Sequence, residues 1–158
     1  MRAIVIALGS NLEARDANIR QAAEALAFVL DNFRLSDIIE TAPVGAGLEN
    51  DPPYLNAVGV GESARPVREI FEALRRIERE AGRTRPYQGA PRTLDLDLIL
   101  AGNAVVDERD LQVPHPRFRD RLFVLDPLTE IAPDLVDPVS GLTIRQLRDR
   151  VQEKGTGA

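Results

Sequence analysis

Cysteine is absent from this 158-residue chain, which excludes disulfides, thiol catalysis and thiolate zinc sites. Histidine and lysine occur once each, as His115 and as Lys154 in the C-terminal EKGTGA. A serine–histidine triad would have to use His115, and a two-histidine metal site is impossible. Neither a Schiff-base lysine nor a P-loop lysine has a credible position. The N-terminal apolar stretch, Ala3 to Leu8, is six residues long, too short for a signal-peptide core or a membrane span. It reads as a buried strand. With a net charge of −5, neither nucleic acid nor membrane is an expected partner. The expectation is a cytoplasmic protein made of one domain over residues 1–158.

Carboxylates and arginines remain to carry chemistry. Residues 75–92 hold six arginines, Arg75, Arg76, Arg79, Arg83, Arg85 and Arg92, and PRFRDR adds Arg117, Arg119 and Arg121. Arginine forks suit small polyanions. Arg75, Arg76 and Arg79 have helical spacing and read as a solvated face. Arg83, Arg85 and Arg92 fall in a loop and read as functional.

The hydrophobic pattern alternates between periods of two and 3.6 residues. A first strand covers 3–8, and SNLE has the spacing of a helix-capping box. Ile19, Ala22, Ala23, Leu26, Val29 and Leu30 define an amphipathic helix over about 14–31. FRLSDIIET reads as a second strand, and residues 42–53 as a glycine- and proline-rich loop. YLNAVGVGE is a third strand with Tyr54, Asn56, Val58 and Val60 on one face. Pro66 opens a second helix striped by Val67, Ile70, Phe71, Leu74 and Ile77, which ends at Gly82. After a second loop, 83–92, comes a fourth strand. The order βαββαβ predicts an α+β, ferredoxin-like fold, an antiparallel sheet with both helices on one face. C-terminal additions follow: a short hairpin in AGNAVVDERD, a stretch near LFVLDPLTEIA and a last helix near 143–152.

The fourth strand, PRTLDLDLIL, poses the chemical question. Strand alternation puts Leu94, Leu96, Leu98 and Leu100 on one face and Asp95 and Asp97 on the other, roughly 7 Å apart. Two such carboxylates repel unless a cation or water lies between them. The leucine face would pack on the helices and leave the aspartate face open. Paired hard oxygens there suit Mg²⁺, which needs only one or two carboxylates and completes its shell with water and phosphates. A solvated edge strand that carries charge against edge pairing is the competing reading. The residues by themselves reach Mg²⁺-dependent transfer involving a polyphosphate.

Five blocks in order, ALGSNL at 7–12, PPYLNAV at 52–58, APRTLDLDLIL at 90–100, VPHPR at 113–117 and RLFVLDPLTEIAPDL at 121–135, resemble the 6-hydroxymethyl-7,8-dihydropterin pyrophosphokinase family of folate biosynthesis. The resemblance implies transfer of the pyrophosphate of ATP to the hydroxymethyl group of a reduced pterin, with release of AMP. It implies two Mg²⁺ ions on Asp95 and Asp97, and Arg83 and Arg92 as catalytic arginines. Glu78, Arg85, Arg92, Leu98, His115 and Arg121 are implied on the ATP side. The pterin would lie between Tyr54 and Phe123, with Asn56, Asp95, Thr41, Pro43 and Val44 around it. The loops 42–53 and 83–92 would close over the site and exclude water.

Three departures from the family pattern stand out. Gly89-Ala90 replaces an aromatic–glycine pair, with Tyr87 as the substitute aromatic. Arg75 stands where glutamine is common, and Gln112 where a threonine often contacts the nucleotide. Another Mg²⁺-dependent phosphoryl or nucleotidyl transferase on a ferredoxin-like palm, or a non-catalytic ligand-binding module, are the alternative functions. On family grounds a monomer is expected.

Overall fold

The structure, a computed structural model, describes residues 1–10, 15–41, 54–82 and 94–156. It mixes helices with an antiparallel sheet: β1 (Arg2–Ser10), α1 (Arg15–Val29), β2 (Asp31–Leu35), β3 (Ile39–Thr41), β4 (Tyr54–Ser63), α2 (Val67–Gly82) and β5 (Asp95–Ala101). Then come β6 (Val106–Asp107), β7 (Gln112–Val113), a 3-10 turn at Phe118–Asp120, α3 (Leu122–Ile131) and α4 (Ile144–Thr156). The main sheet runs β2-β4-β1-β5, with β3 also pairing β4, and β6-β7 form a separate small hairpin. The expected loops 42–53 and 83–92, and the SNLE cap beyond Ser10, lie outside the described residues. Among the described residues no helix is long and apolar enough to cross a membrane.

The central strands β1 and β4 are buried on both faces, so each side of the sheet needs its own cover. On one side Ile4, Ile6 and Leu8 meet Ile19, Ala22 and Leu26 of α1 and Ile70 and Leu74 of α2, together with Leu94, Leu96 and Leu98. On the other side Val5, Val58 and Val60 pack with Phe118, with Val124, Leu125 and Leu128 of α3, and with Ile144 and Leu147 of α4. The C-terminal additions are therefore the second half of the core.

Three expectations need correction. The aspartate-bearing face is open only at one end. Beyond Asp97, Ile99 and Leu100 lie in the cluster under α3 and α4, because the valines of that face must be removed from water. Leu100 does not share the leucine face. A register shift between Val5 and Ile6 places Leu98 opposite Ile6 but Leu100 opposite Val5. That bulge absorbs one residue and turns Leu100 over. Finally, the second strand is not continuous. Residues 36–38 interrupt it, and Ser36 caps the break: its Oγ accepts the Val58 N–H at 2.9 Å and its own N–H donates to the Val58 carbonyl at 2.8 Å.

Gly59 lies in close packing. A Cβ built there would stand 2.4 Å from the Phe33 ring, so the aromatic of β2 lies directly against the backbone of β4.

Candidate active site

Antiparallel pairing sets the site at the ends of three neighbouring strands. In register, Gly9 of β1 lies opposite both Asn56 of β4 and Asp95 of β5, and Ala7 opposite both Val58 and Asp97. Thr41 pairs with Tyr54 at the edge. The same strand ends thus carry Thr41, Tyr54, Asn56, Asp95 and Asp97 on one face, and α3 and the turn before it close the opposite wall. Between them lies a cavity of about 550 Å³ lined by those five residues and by His115, Arg121 and Phe123. Aromatic surface, an amide, two carboxylates, an imidazole and a guanidinium converge in one space.

Asn56 is buried, and its Nδ2 donates to Thr41 Oγ1 at 2.6 Å. That bond fixes the rotamer of the amide, so Oδ1 is directed by the protein rather than by solvent. A Cβ at position 9 would come within 3.2 Å of Asn56 Oδ1; the glycine of the ALGSNL block leaves room for this amide. Gly9 is a site residue that the motifs alone do not mark. Its signal was a glycine at a strand end beside a polar partner. Ile99, Phe118 and Val124 also line the cavity and were missed, because their apolar character marks them equally as core.

His115 enters from VPHPR, after a cis Val113–Pro114 bond. Its backbone N–H donates to the Ile99 carbonyl at 2.9 Å, and its Nδ1 accepts the Arg117 N–H at 3.2 Å, which leaves Nε2 to carry the proton of a neutral ring. Burial lowers the imidazole below its ordinary value, the Asp97 carboxylate opposes this, and Arg121 and Arg117 lower it further. The Arg121 guanidinium sits 5.6 Å from the Phe123 ring centroid, within cation–π reach.

A second, more polar cavity of about 240 Å³ lies on the outer side of β5 and is lined by Phe71, Arg75, Leu98, Arg109, Gln112 and, again, Asp97 and His115. Asp97 and His115 therefore form the wall common to both spaces. Two ligands, one in each cavity, would meet at Asp97 and His115.

A family model described as 7,8-dihydro-6-hydroxymethylpterin-pyrophosphokinase (HPPK) matches residues 5–133. The chain belongs to the HPPK family. The 2-amino-4-hydroxy-6-hydroxymethyldihydropteridine pyrophosphokinase of Bacillus subtilis is 39% identical over 155 residues, covering 96% of this chain and 91% of that protein. The enzyme of that name from Haemophilus influenzae is 36% identical, covering 94% and 93%. The folic acid synthesis protein fol1 of Pneumocystis carinii is 36% identical over 94% of this chain, and this chain spans only 20% of its length. Among solved structures, Plasmodium falciparum HPPK-DHPS with pterin and p-hydroxybenzoate superposes with a TM-score of 0.72 at 14% identity, over 97% of this chain and 44% of that one. At that identity the likeness is one of fold.

Against the HPPK pattern, the structure brings Thr41, Tyr54, Asn56, Asp95, Asp97, His115, Arg121 and Phe123 to the larger cavity and Leu98 to the smaller. Arg121, expected on the ATP side, lines the larger space. Glu78 lines neither; its carboxylate turns to the backbone of β5, where Oε2 accepts the Leu96 N–H at 2.8 Å. Arg75 and Gln112, two of the departures from the family pattern, line the smaller cavity. Pro43, Val44, Arg83, Arg85, Tyr87, Gly89, Ala90 and Arg92 lie outside the described residues.

Proposed function

We infer that this HPPK-family chain transfers the pyrophosphate of ATP to 6-hydroxymethyl-7,8-dihydropterin, giving the pterin diphosphate and AMP in folate biosynthesis. The observation that carries the reading is the shared wall: Asp97 and His115 belong at once to an aromatic, amide-lined cavity and to a polar one. A flat, polar-edged heterocycle suits the first, with Tyr54 and Phe123 as stacking surfaces and Asn56 with Thr41 as edge recognition. The polyphosphate suits the second, with its nucleoside along Leu98. His115, on the wall shared by both cavities, serves the ATP side, Arg121 adds positive charge from the larger cavity, and the family resemblance assigns Arg85 to ATP and Pro43 and Val44 to the pterin.

The pterin hydroxyl oxygen attacks the β-phosphorus as the bond to the α,β-bridging oxygen breaks. AMP leaves with that oxygen, and the hydroxyl proton is released. The chain's contribution is positional and electrostatic. The wall between the cavities sets the approach of hydroxyl to phosphorus, and the family resemblance assigns Arg83 and Arg92 to neutralising the charge that shifts to the leaving phosphate.

The donor set fits Mg²⁺. Among the described residues no three carboxylates or imidazoles cluster, but Mg²⁺ needs only one or two carboxylates when phosphates and water fill the remaining positions. Asp95 and Asp97 would hold two such ions, which supply charge neutralisation of the triphosphate and a lowered pKa for the attacking hydroxyl.

The sheet order and the placement of α1 and α2 on one face support a ferredoxin-like plan. The proposal extends to residues 1–158 as a single pyrophosphokinase domain, a monomer on family grounds, in the cytoplasm. The test mixes the protein with ATP, Mg²⁺ and 6-hydroxymethyl-7,8-dihydropterin and separates the nucleotides. Pterin-dependent AMP is expected; ADP, free pyrophosphate or unchanged ATP overturns the reading. Asp97→Asn should lose about 100-fold or more in turnover while the circular dichroism spectrum is unchanged. Wild-type rates in that variant would remove the metal assignment.

A further inference from the structure

We propose that Glu78 is a positioning residue that acts through the backbone of β5, holding the strand so that the two aspartates keep their spacing. The proposal rests on the reading of Asp95 and Asp97 as metal-binding carboxylates.

Among the described residues β5 is the last strand of the sheet, paired with β1 on one side. That pairing sets Asp95 opposite Gly9 and Asp97 opposite Ala7. The residue between them, Leu96, points its N–H away from β1. A strand edge left so would be free to twist. Here the amide donates to Glu78 Oε2 at 2.8 Å, and the carboxylate is itself fixed, since Oε1 accepts from Arg75 Nη1 at 2.9 Å.

Arg75 in turn lies 4.7 Å from the Phe71 ring centroid, on the same helix. Only 12% of the Glu78 side chain is exposed, against 45% for Arg75. The chain of contacts therefore runs from the exposed face of α2 inward to the backbone N–H of Leu96, the residue between the two aspartates. A charge-assisted bond to a backbone amide is stronger than a neutral one. Leu96 is anchored a second way, with its side chain buried against the helices. The two anchors restrain the local twist of β5 at Leu96, and a change of twist there is the motion that would alter the relative aim of Asp95 and Asp97. Partners of metal ligands that act in this way typically change metal affinity or activity by about 10- to 100-fold when removed.

The experiment uses Mn²⁺ as the probe, titrated by electron paramagnetic resonance into the protein with α,β-methylene ATP, whose bridging carbon blocks the bond that would break. Glu78→Met keeps the length of the side chain and removes the acceptor; it should weaken Mn²⁺ by on the order of 10- to 100-fold. Glu78→Gln keeps an acceptor but no charge, and should stay within about fivefold of wild type. Equal Mn²⁺ affinity in Glu78→Met and wild type overturns the proposal. Equal losses in the two variants overturn it too, because they would put the role in the charge and not in the amide bond. Hydrogen exchange in the wild-type protein gives a measurement independent of any variant. The Leu96 amide should be protected like its neighbours in the ladder, and exchange at the rate of an open edge would refute the clamp. Wild-type AMP formation is unaffected by either outcome, so failure of the clamp is distinguishable from failure of the assigned reaction.

Discussion

Asp137→Asn tests the scaffold behind the site at its most heavily bonded point. The Asp137 carboxylate is fully buried, and it receives Arg119 Nε at 2.5 Å and Arg119 Nη2 at 2.9 Å, the Ser140 hydroxyl at 2.6 Å and the Val139 N–H at 3.1 Å. The bonds tie the turn that precedes Arg121 and Phe123 to the segment leading into α4. Burial alone would raise this carboxyl, but the Arg119 fork and the Ser140 and Val139 donors outweigh it and hold the group at about 2, against an ordinary 3.8. At 1.36 kcal/mol for each factor of ten in proton affinity, the difference stabilises the fold by about 2 kcal/mol at neutral pH. A carboxyl held low in the folded state contributes in full above about pH 4, and the contribution disappears as pH falls towards about 2. Roughly half should remain at pH 3. The Asn variant lacks this titration and leaves Arg119, only 25% exposed, without its counter-charge, a loss of about 3–5 kcal/mol in comparable pairs. Urea unfolding of both proteins, followed by circular dichroism at pH 7 and pH 3, measures the gap between them. The gap should narrow by about 1 kcal/mol at the lower pH. A gap that is constant between the two pH values would refute the assignment of that stability to an ionised Asp137.

Two further outcomes follow from packing and hydrogen bonding. Asn56→Ala removes the amide that Thr41 orients and leaves polar groups of the cavity without a partner, which costs about 1–3 kcal/mol. Affinity for the reduced pterin, read from its fluorescence, should fall roughly 10- to 100-fold, and an unchanged affinity would remove Asn56 from the pterin edge. Gly59→Val drives new methyl groups into the Phe33 ring, and overpacking of this kind costs about 1–3 kcal/mol. The thermal midpoint should drop by roughly 3–10 °C, and a midpoint equal to wild type would mean that Phe33 is free to move aside.

Local patterning made much of this fold legible. Period-two alternation placed Tyr54, Asn56 and Val58 on one face of β4, and the 3.6-residue stripe of α2 appears with its predicted members, because short-range periodicity decides which side of an element faces the core. Asp95 and Asp97 were legible for the same reason. The turnover of Leu100 was not, since a bulge arises from matching β5 to β1 and leaves no mark in the β5 sequence alone. Nor was the cover supplied by α3 and α4, which follows from valines on β1 and β4 that have to be buried by something distant in the chain. The Arg119–Asp137 fork joins residues 18 apart, a separation at which no local periodicity operates.

By itself, the amino-acid sequence determined which chemistry was available: carboxylates and arginines, one histidine, no thiol, and an acidic pair whose spacing puts both groups on one side of a strand. The tertiary structure alone decided that Asp97 and His115 stand between two cavities and that Glu78 faces the β5 backbone. These are relations across strands and helices, set by sheet register and by the packing of buried surface, which no stretch of sequence carries on its own.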